Sequence, residues 1–208
     1  MAGAFATMSF TGVTMDSNTA TGFGGGGIAT GGSLVIKDSV FSNCSAGTAG
    51  GALALDFAAA RIASSSFISN SVGPSETAYG GAVRVAGERQ LEFDNCTFHA
   101  NVAPSNGGAL HTQGTGARLT DSSFTSCISG RSGGAAFFDI LSHPTVSTSR
   151  FVGNTANGGS GGAMSCSGCL SMAVHTSQFV DNVATRSGGA LFLEYVTDAQ
   201  QSSVGGER

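Results

Sequence analysis

Three carboxylates occupy equivalent places in a recurring motif. Asp56, Asp139 and Glu194 each stand four residues after the alanine of a Gly-Gly-Ala sequence. Two carboxylates that flank a sugar bond are the groups with which glycosidases cleave polysaccharides. These residues are therefore candidates for acid and base catalysis only if the fold brings two of them close together.

The five cysteines offer a second kind of chemistry. Cys166 and Cys169 form a C-x-x-C sequence, which occurs at zinc sites, at redox centres and in local disulfides. The sequence has no second C-x-x-C and no helix start after this one, so neither zinc binding nor thioredoxin-type chemistry is indicated. Buried thiols and a disulfide across a corner both remain open. The other three, Cys44, Cys96 and Cys127, are predicted to be buried thiols.

Charge is concentrated in one part of the chain. Six of the 22 charged residues (nine basic and thirteen acidic) lie between Glu76 and Asp94. The longest turn, SVGPSETAY, lies at the start of this region, and inserted loops on repeat proteins often carry binding sites. The candidate partner-binding residues are Tyr79, Arg84, Glu88, Arg89, His111 and Phe137. The alternative interpretation is a tolerated insertion whose charges aid solubility.

A repeat of about 27 residues must position all of these groups. Each copy has an aromatic or Met anchor, followed nine to thirteen residues later by a Gly pair. The anchors are Met15, Phe41, Phe67, Phe98, Phe124, Phe151 and Phe179. The Gly pairs open at Gly25, Gly50, Gly80, Gly107, Gly133, Gly161 and Gly188. A regular period of this length is typical of stacked repeat proteins.

Alignment of the copies on their anchors predicts strands and corners. Residues two and five before the anchor should face inward, and residues three before it are Gly, Asp, Ser, Asn or Thr, which favour a corner. Apolar residues alternate after each Gly pair, as at Leu53 and Leu55, and this period of two indicates a strand. The Asn of the F-x-x-N sequence, replaced by Cys44 and Cys127 in two copies, should form a hydrogen-bonded ladder.

The predicted fold is an all-β, single-stranded, right-handed parallel β-helix of about seven coils, with three short strands in each coil. A single repeat cannot bury its apolar side, so the repeats must stack, and parallel crossovers are overwhelmingly right-handed. Coils about 4.8 Å apart would separate the three carboxylates by roughly 10 to 14 Å, beyond the roughly 5 to 9.5 Å of glycosidase pairs. No catalytic residue, metal site or cofactor is therefore predicted.

One outward column of this β-helix is predicted to carry exposed rings. It contains Arg84, His111, Phe137 and Phe192, each in a different coil. Neighbouring strands place the first two about 5 Å apart. We therefore expect a binding face at Tyr79, Arg84, His111 and Phe137.

Composition excludes several kinds of partner. The net charge is −4 and only 11% of residues are charged, so nothing indicates nucleic acid or an anionic membrane surface. No apolar run approaches the roughly 18 residues of a membrane helix, and the N-terminal sequence does not have the pattern of a signal peptide. A repeat domain is predicted over residues 1–196 and a polar tail over residues 197–208.

The intact motifs resemble the GGA[ILV] and FxxN repeats of the chlamydial polymorphic outer membrane proteins. F-x-x-N sequences begin at Phe67, Phe98, Phe151 and Phe179, and G-G-A-[LV] sequences begin at Gly50, Gly80, Gly107 and Gly188. The likeness covers about residues 8–193. It implies a surface-exposed, right-handed β-helix that acts as an adhesin, with an extracellular or cell-surface location and with repeats that are structural rather than catalytic. That family's secretion signal and C-terminal membrane barrel are not found in this sequence.

The predicted function is that of a non-enzymatic structural or adhesive rod, at a cell surface or within a larger assembly. It would bind a protein or glycan partner through its loops and an outward strand face. A carbohydrate-active lyase or hydrolase on the same fold is the alternative. Because an open β-helix end exposes unpaired strand groups, further repeats or a protein partner are expected to cover the ends.

Overall fold

The computed structural model describes residues 7–194, except residues 88, 89, 115 and 141. Within these residues the chain is all β, and its parallel strands stack as a β-solenoid of about seven coils. The stacked parallel β-helix expected from the repeat is therefore confirmed. The predicted domain boundary at residue 196 and the polar tail lie outside the described residues.

Each coil contains four short strands, one more than the sequence predicts. Coils 1 and 2 contain β1 (Thr7–Thr11), β2 (Thr14–Asp16), β3 (Thr19–Ala20), β4 (Gly27–Thr30), β5 (Ser33–Lys37), β6 (Val40–Ser42), β7 (Ser45–Ala46) and β8 (Leu53–Asp56). Coils 3 and 4 contain β9 (Ala59–Ala63), β10 (Ser66–Ile68), β11 (Ser71–Val72), β12 (Val83–Ala86), β13 (Gln90–Asp94), β14 (Thr97–His99), β15 (Val102–Ala103) and β16 (Leu110–Gln113). Coils 5 to 7 contain β17 (Gly116–Thr120), β18 (Ser123–Thr125), β19 (Ile128–Ser129), β20 (Ala136–Asp139), β21 (Thr145–Ser147), β22 (Arg150–Val152), β23 (Thr155–Ala156), β24 (Met164–Ser167), β25 (Ala173–His175), β26 (Gln178–Val180), β27 (Val183–Ala184) and β28 (Leu191–Glu194).

Corresponding strands of successive coils pair in parallel to form four seven-stranded sheets. Sheet A joins β1, β5, β9, β13, β17, β21 and β25, and sheet B joins β2, β6, β10, β14, β18, β22 and β26. Sheet C joins β3, β7, β11, β15, β19, β23 and β27, and sheet D joins β4, β8, β12, β16, β20, β24 and β28. The strands of sheet C are two residues long. They carry no periodic signal that sequence patterning could detect, so the sequence predicts three strands per coil and the structure adds these short ones.

The backbone turns at the corner predicted between sheets A and B. All seven residues three before the anchors have positive φ, between +46° and +66°: Gly12, Asp38, Ser64, Asn95, Asp121, Thr148 and Thr176. Gly, Asn and Asp tolerate this left-handed conformation best. A second column, two residues after the anchors, also has positive φ and turns the chain from sheet B into sheet C: Ser17, Asn43, Ser69, Ala100, Ser126, Gly153 and Asp181.

The anchors form one continuous stack of rings inside the rod. From Phe41 to Phe179 successive rings are nearly parallel, within 6°, and their centroids lie 4.4 to 5.0 Å apart. The flanking columns predicted to face inward are buried as well: Ile36, Ile62, Phe93, Leu119 and Val146, with Ser39, Ser65, Cys96, Ser122 and Ser149. The coil spacing therefore sets the ring spacing, and the rings from Phe67 to Phe151 are each covered on both faces by a neighbouring ring.

The Asn column is a hydrogen-bonded ladder, as predicted. The side-chain amide of Asn101 donates to the carbonyl of Phe67 at 2.9 Å. Its Oδ1 accepts from the backbone N–H of Asn70 at 2.9 Å and from the Asn70 amide at 3.1 Å. Cys44 and Cys127 occupy the same column and are fully buried. The ladder satisfies corner backbone groups that would otherwise be buried without a partner.

The Gly pairs allow close approach between coils. Gly50 has φ of +62°, and a Cβ added there would lie 2.1 Å from the carbonyl oxygen of Leu53. A Cβ on Gly51 would lie 2.2 Å from the carbonyl oxygen of Gly81 in the next coil. In coil 1 the equivalent positive-φ glycine is Gly24, so the pair opens one residue earlier than the sequence alignment placed it.

Candidate functional site

One surface groove collects most of the residues with chemistry, and it runs along the axis of the rod. Its floor is the outward column of sheet D, whose register aligns Ile28, Ala54, Arg84, His111, Phe137, Ser165 and Phe192. Its wall is the column that precedes each Gly pair, namely Phe23, Ala49, Tyr79, Asn106, Ser132, Ser160 and Ser187. We call this feature the axial groove. Each coil contributes one floor residue and one wall residue because the same turn and strand recur every coil.

Aromatic rings close the axial groove at its centre. The rings of Tyr79 and His111 lie 4.7 Å apart between centroids, and those of His111 and Phe137 lie 5.5 Å apart and nearly parallel. His111 is 5% exposed and Phe137 is 7% exposed. The prediction of an exposed row of rings is therefore wrong at these two positions. Stacked neighbours and the wall residue Tyr79 cover them, which the strand pattern alone does not reveal.

His111 is a neutral aromatic ring at ordinary pH. Burial, with a smaller contribution from the charge of Arg84, lowers the pKa of His111 to about 3. Its Nδ1 atom is buried and has no hydrogen-bond partner among the described residues. The side chain therefore packs as a ring and does not serve as a cation or proton donor near neutrality.

The guanidinium group of Arg84 contacts two other side chains of the groove. Its guanidinium Nη1 forms an ion pair with the carboxylate of Asp56, one coil away. The guanidinium carbon also lies 5.6 Å from the centroid of the Phe23 ring, within reach of a cation–π interaction. Asp56 thus neutralises a groove cation and is not a free base.

The axial groove is widest on the side of Phe137 that faces coils 6 and 7. A depression of about 680 Å³ is lined by residues of coils 4 to 7, including Asn106, Phe137 and Phe192. A smaller one of about 250 Å³ adjoins it at Asn106 and Phe137 and extends to Tyr79. The wall residue is the large Tyr79 in coil 3 but a serine in coils 5 to 7. On the floor, the small Ser165 lies between Phe137 and Phe192. This end therefore has room for a ligand.

Two arginines line the wide end of the axial groove. Arg131 and Arg186 stand in coils 5 and 7, with Gly158 and Gly159 between them in coil 6. Arg131 forms an exposed ion pair with Glu76 at 3.0 Å. Sequence reasoning missed both arginines. The signal was present as the repeated sequence Arg-Ser-Gly-Gly at residues 131–134 and 186–189.

The predicted binding residues fall into two groups. Tyr79, Arg84, His111 and Phe137 meet around the smaller depression, together with Asn106. Glu88 and Arg89 lie outside the described residues. The structure thus brings the four described residues together, although the centre of this cluster is packed rather than open.

The candidate catalytic carboxylates stay apart. The sheet D register puts Asp56, Asp139 and Glu194 in one column, the first two separated by three coils and the last two by two. At about 4.8 Å per coil they are roughly 14 and 10 Å apart. Among the described residues, no group of three or more His, Cys, Asp or Glu side chains could hold a metal ion.

The cysteine chemistry is resolved in favour of a disulfide. Cys166 and Cys169 are bonded across the corner that follows β24, and both are buried. The other three cysteines are free and buried. Burial raises the pKa of Cys96 and of Cys127 to about 11, so their thiols are poor nucleophiles at neutral pH.

Comparisons with protein-family models, with curated proteins and with solved structures found no match. No helix in the described part of the chain is long and apolar enough to cross a membrane.

Proposed function

We propose that this chain is a non-enzymatic binding rod that presents the axial groove to an extended ligand. The observation that carries the proposal is the pair of adjoining depressions along that groove, one in coils 3 to 5 and one in coils 4 to 7, with arginines at the wide end. Binding sites that combine apolar surface with a few convergent polar groups are the common form of ligand pocket. The resemblance to surface adhesins supports the same role.

The stacked core supports a scaffold role. The anchor rings, the Asn ladder and the parallel sheets repeat along the rod, so the groove residues are held at fixed intervals by rigid elements. Rigid presentation lowers the entropy lost when a ligand binds. A partner recognised over several coils would therefore meet a preorganised surface.

The spacing of acidic groups favours binding over cleavage. Asp56 is paired with Arg84, and Asp139 and Glu194 are two coils apart in the sheet D register. Glycosidase pairs are about 5 to 9.5 Å apart, whereas two coils correspond to roughly 10 Å. A carbohydrate-active enzyme on this fold remains the competing hypothesis.

An extracellular or cell-surface location is part of the proposal. The disulfide between Cys166 and Cys169 supports it, because disulfides persist mainly in oxidising compartments. Further repeats or a protein partner would cover the ends of the rod. In coil 1 Met8, which aligns with the buried Leu34 of the next coil, is 52% exposed, which supports a covered end.

A plate-binding assay on purified ligands tests this function. The ligands are polygalacturonate, xylan, dextran, heparan sulfate, fibronectin and laminin. The variant Ser160→Tyr places at coil 6 the residue that coil 3 has at Tyr79, so the coil geometry accommodates it while the wide end is filled. The control Ser123→Tyr adds the same ring on the outer face of sheet B.

We expect at least one ligand to bind the wild-type chain and the Ser123→Tyr control but not Ser160→Tyr. Binding of no ligand, or binding that Ser160→Tyr leaves intact, would contradict a groove function. New reducing ends released from any of the polysaccharides would instead support the enzyme hypothesis.

A further inference from the structure

We infer that the wide end of the axial groove is a subsite for a carboxylate-bearing polysaccharide, with Arg131 and Arg186 holding its acidic groups and Phe192 packing against its sugar rings. This inference rests on the proposed function and specifies its ligand. Four observations carry it: the spacing of the arginines, their available charge, the floor between the rings, and the direction and pairing of the groove strands.

The two arginines border the same space, with glycine in the coil between them. The backbone N–H of Arg186 donates to the carbonyl of Gly159 at 3.0 Å, and Gly159 in turn lies against the backbone of Arg131. The arginine backbones are therefore two coils apart, about 10 Å. Glycine in the intervening coil leaves a gap that both arginine side chains border.

Their charges are available to a ligand. Arg186 is exposed and has no ion pair among the described residues, and Arg131 pairs only with Glu76, whose side chain is 86% exposed. Exposed ion pairs of this kind are weak, so a ligand anion can replace Glu76. Arginine binds carboxylates through two parallel N–H···O bonds, which makes it the suitable residue for acidic groups at fixed spacing.

The rest of the protein disfavours a polyanion. The net charge is −4, and only nine of the 208 residues are Lys or Arg. A polyanion would be repelled by most of the surface, so binding requires a local concentration of positive charge such as this one. One acidic residue, Glu194, lines the wide end together with the two arginines. Its Oε2 accepts a hydrogen bond from the Ser167 hydroxyl at 3.2 Å.

The floor suits pyranose rings. Phe137 and Phe192 stand two coils apart with Ser165 between them, which leaves a recess bounded by apolar rings. The hydroxyls of Ser160 and Ser167 border the same recess and can bond with sugar hydroxyls. Apolar faces with surrounding hydroxyl partners match the chemistry of a sugar chain.

A peptide is a poorer fit to the same groove. Acidic peptides that bind β-proteins commonly add a strand to an exposed sheet edge. The strands of sheet D from β8 to β24 are paired on both sides, and a peptide added beyond β28, the last strand of the sheet, would run across the rod and not along the groove. The groove therefore offers side chains alone, and a linear polysaccharide along the rod axis is the occupant to which we commit.

Binding of polygalacturonate, compared with its fully methyl-esterified form, tests the inference by isothermal titration calorimetry. The two polymers share a backbone and differ in charge. The variants are Arg131→Gln and Arg186→Gln. The matched control is Arg118→Gln, because Arg118 is 58% exposed in its side chain, close to the 55% of Arg131, and lies on sheet A beside Glu92.

We expect the wild-type chain to bind polygalacturonate and not the ester. Each groove variant should lose about tenfold or more in affinity, since a hydrogen bond to a charged group is worth about that factor. Arg118→Gln should bind as the wild type does, and melting curves should show that all variants are folded.

Three outcomes overturn the inference. They are absence of polygalacturonate binding, equal binding of the ester, and unchanged affinity in both groove variants. Equal binding of poly-L-glutamate would show that an acidic peptide is the ligand and would overturn it as well. If another ligand of the plate assay still binds in a way that Ser160→Tyr abolishes, the proposed function stands while this inference fails.

Discussion

The ring of Tyr79 covers the imidazole of His111, with 4.7 Å between the ring centroids. Tyr79 comes from the longest turn of the chain and His111 from a strand of the next coil, so the contact joins an insertion to the regular part of the rod. It also completes the burial of an imidazole that has, among the described residues, no acidic partner to stabilise its protonated form. The turn is therefore part of the packed structure rather than a loosely attached loop.

Burial of His111 should make the protein acid-sensitive. Its pKa is lowered from 6.5 to about 3 in the folded chain, so below pH 6.5 the unfolded chain gains a proton that the folded chain does not. The free energy of unfolding should then fall by up to about 1.4 kcal/mol per pH unit as pH drops. We expect His111→Phe to reduce that loss by about 1.6 kcal/mol between about pH 6.5 and pH 5, measured by urea unfolding.

The exposed His99 offers the control for this experiment. His99→Phe leaves the buried imidazole in place and should keep the wild-type profile. Identical pH dependence in His111→Phe and the wild-type chain would show that His111 is not buried as a neutral ring.

The ring stack should dominate the stability of the rod. Phe98 is fully buried between Phe67 and Phe124, at 4.8 and 4.4 Å. Phe98→Ala should lower the free energy of unfolding by about 3 to 5 kcal/mol, because it removes apolar contacts on both faces and leaves a cavity. The comparison is Phe57→Ala, at a ring that is 65% exposed, which should cost far less. Similar denaturant midpoints for the two variants would contradict a continuous spine.

Restoring an Asn where the ladder has a cysteine should stabilise the chain. Towards the next coil the amide of Asn101 meets the sulfur of Cys127, at 3.9 Å, and sulfur is a weak acceptor. Cys127→Asn would supply an amide oxygen to Asn101 and a donor to the carbonyl of Phe98, adding about 1 kcal/mol for each good bond formed. The free energy of unfolding should therefore rise in Cys127→Asn.

Removal of an existing Asn from the ladder provides the comparison. Asn101→Ala should lose about 2 kcal/mol or more, because it leaves the Phe67 carbonyl and the Asn70 N–H without partners. The free energy of unfolding of Asn101→Cys should lie between those of the wild-type chain and Asn101→Ala, because cysteine already occupies this column in two other coils. A loss of stability in Cys127→Asn larger than that in Asn101→Ala would refute the ladder as the source of these effects.

Thiol titration should separate the cysteines into two classes. Native protein should react little with an aromatic disulfide reagent, because the three free thiols are buried and the pKa of two of them is raised to about 11. Unfolding without reductant should expose three thiols, and prior reduction should expose all five. Five reactive thiols in the unfolded, unreduced protein would show that Cys166 and Cys169 are not bonded.

The repeat predicts much of the fold because residues that are one period apart in the sequence become neighbours when the coils stack. In a stacked coil, residues one period apart lie one above the other, so the period alone identifies the anchor, corner and Asn columns. The backbone confirms the corner at Asp121 and Thr148, both with φ of +49°. The two-residue strands of sheet C have no such pattern, and the fourth strand of each coil was therefore not predicted.

The sequence by itself determined the coil count, the buried spine, the first corner and the column that joins Arg84 to Phe137. Tertiary structure alone decided which members of that column are covered, that Cys166 and Cys169 are bonded, and that Arg131 and Arg186 border one recess. The physical reason is that period specifies which residues share a column along the rod. Which turn packs over which strand depends on the volumes of side chains from different parts of one coil and from the next, and those contacts follow no repeat.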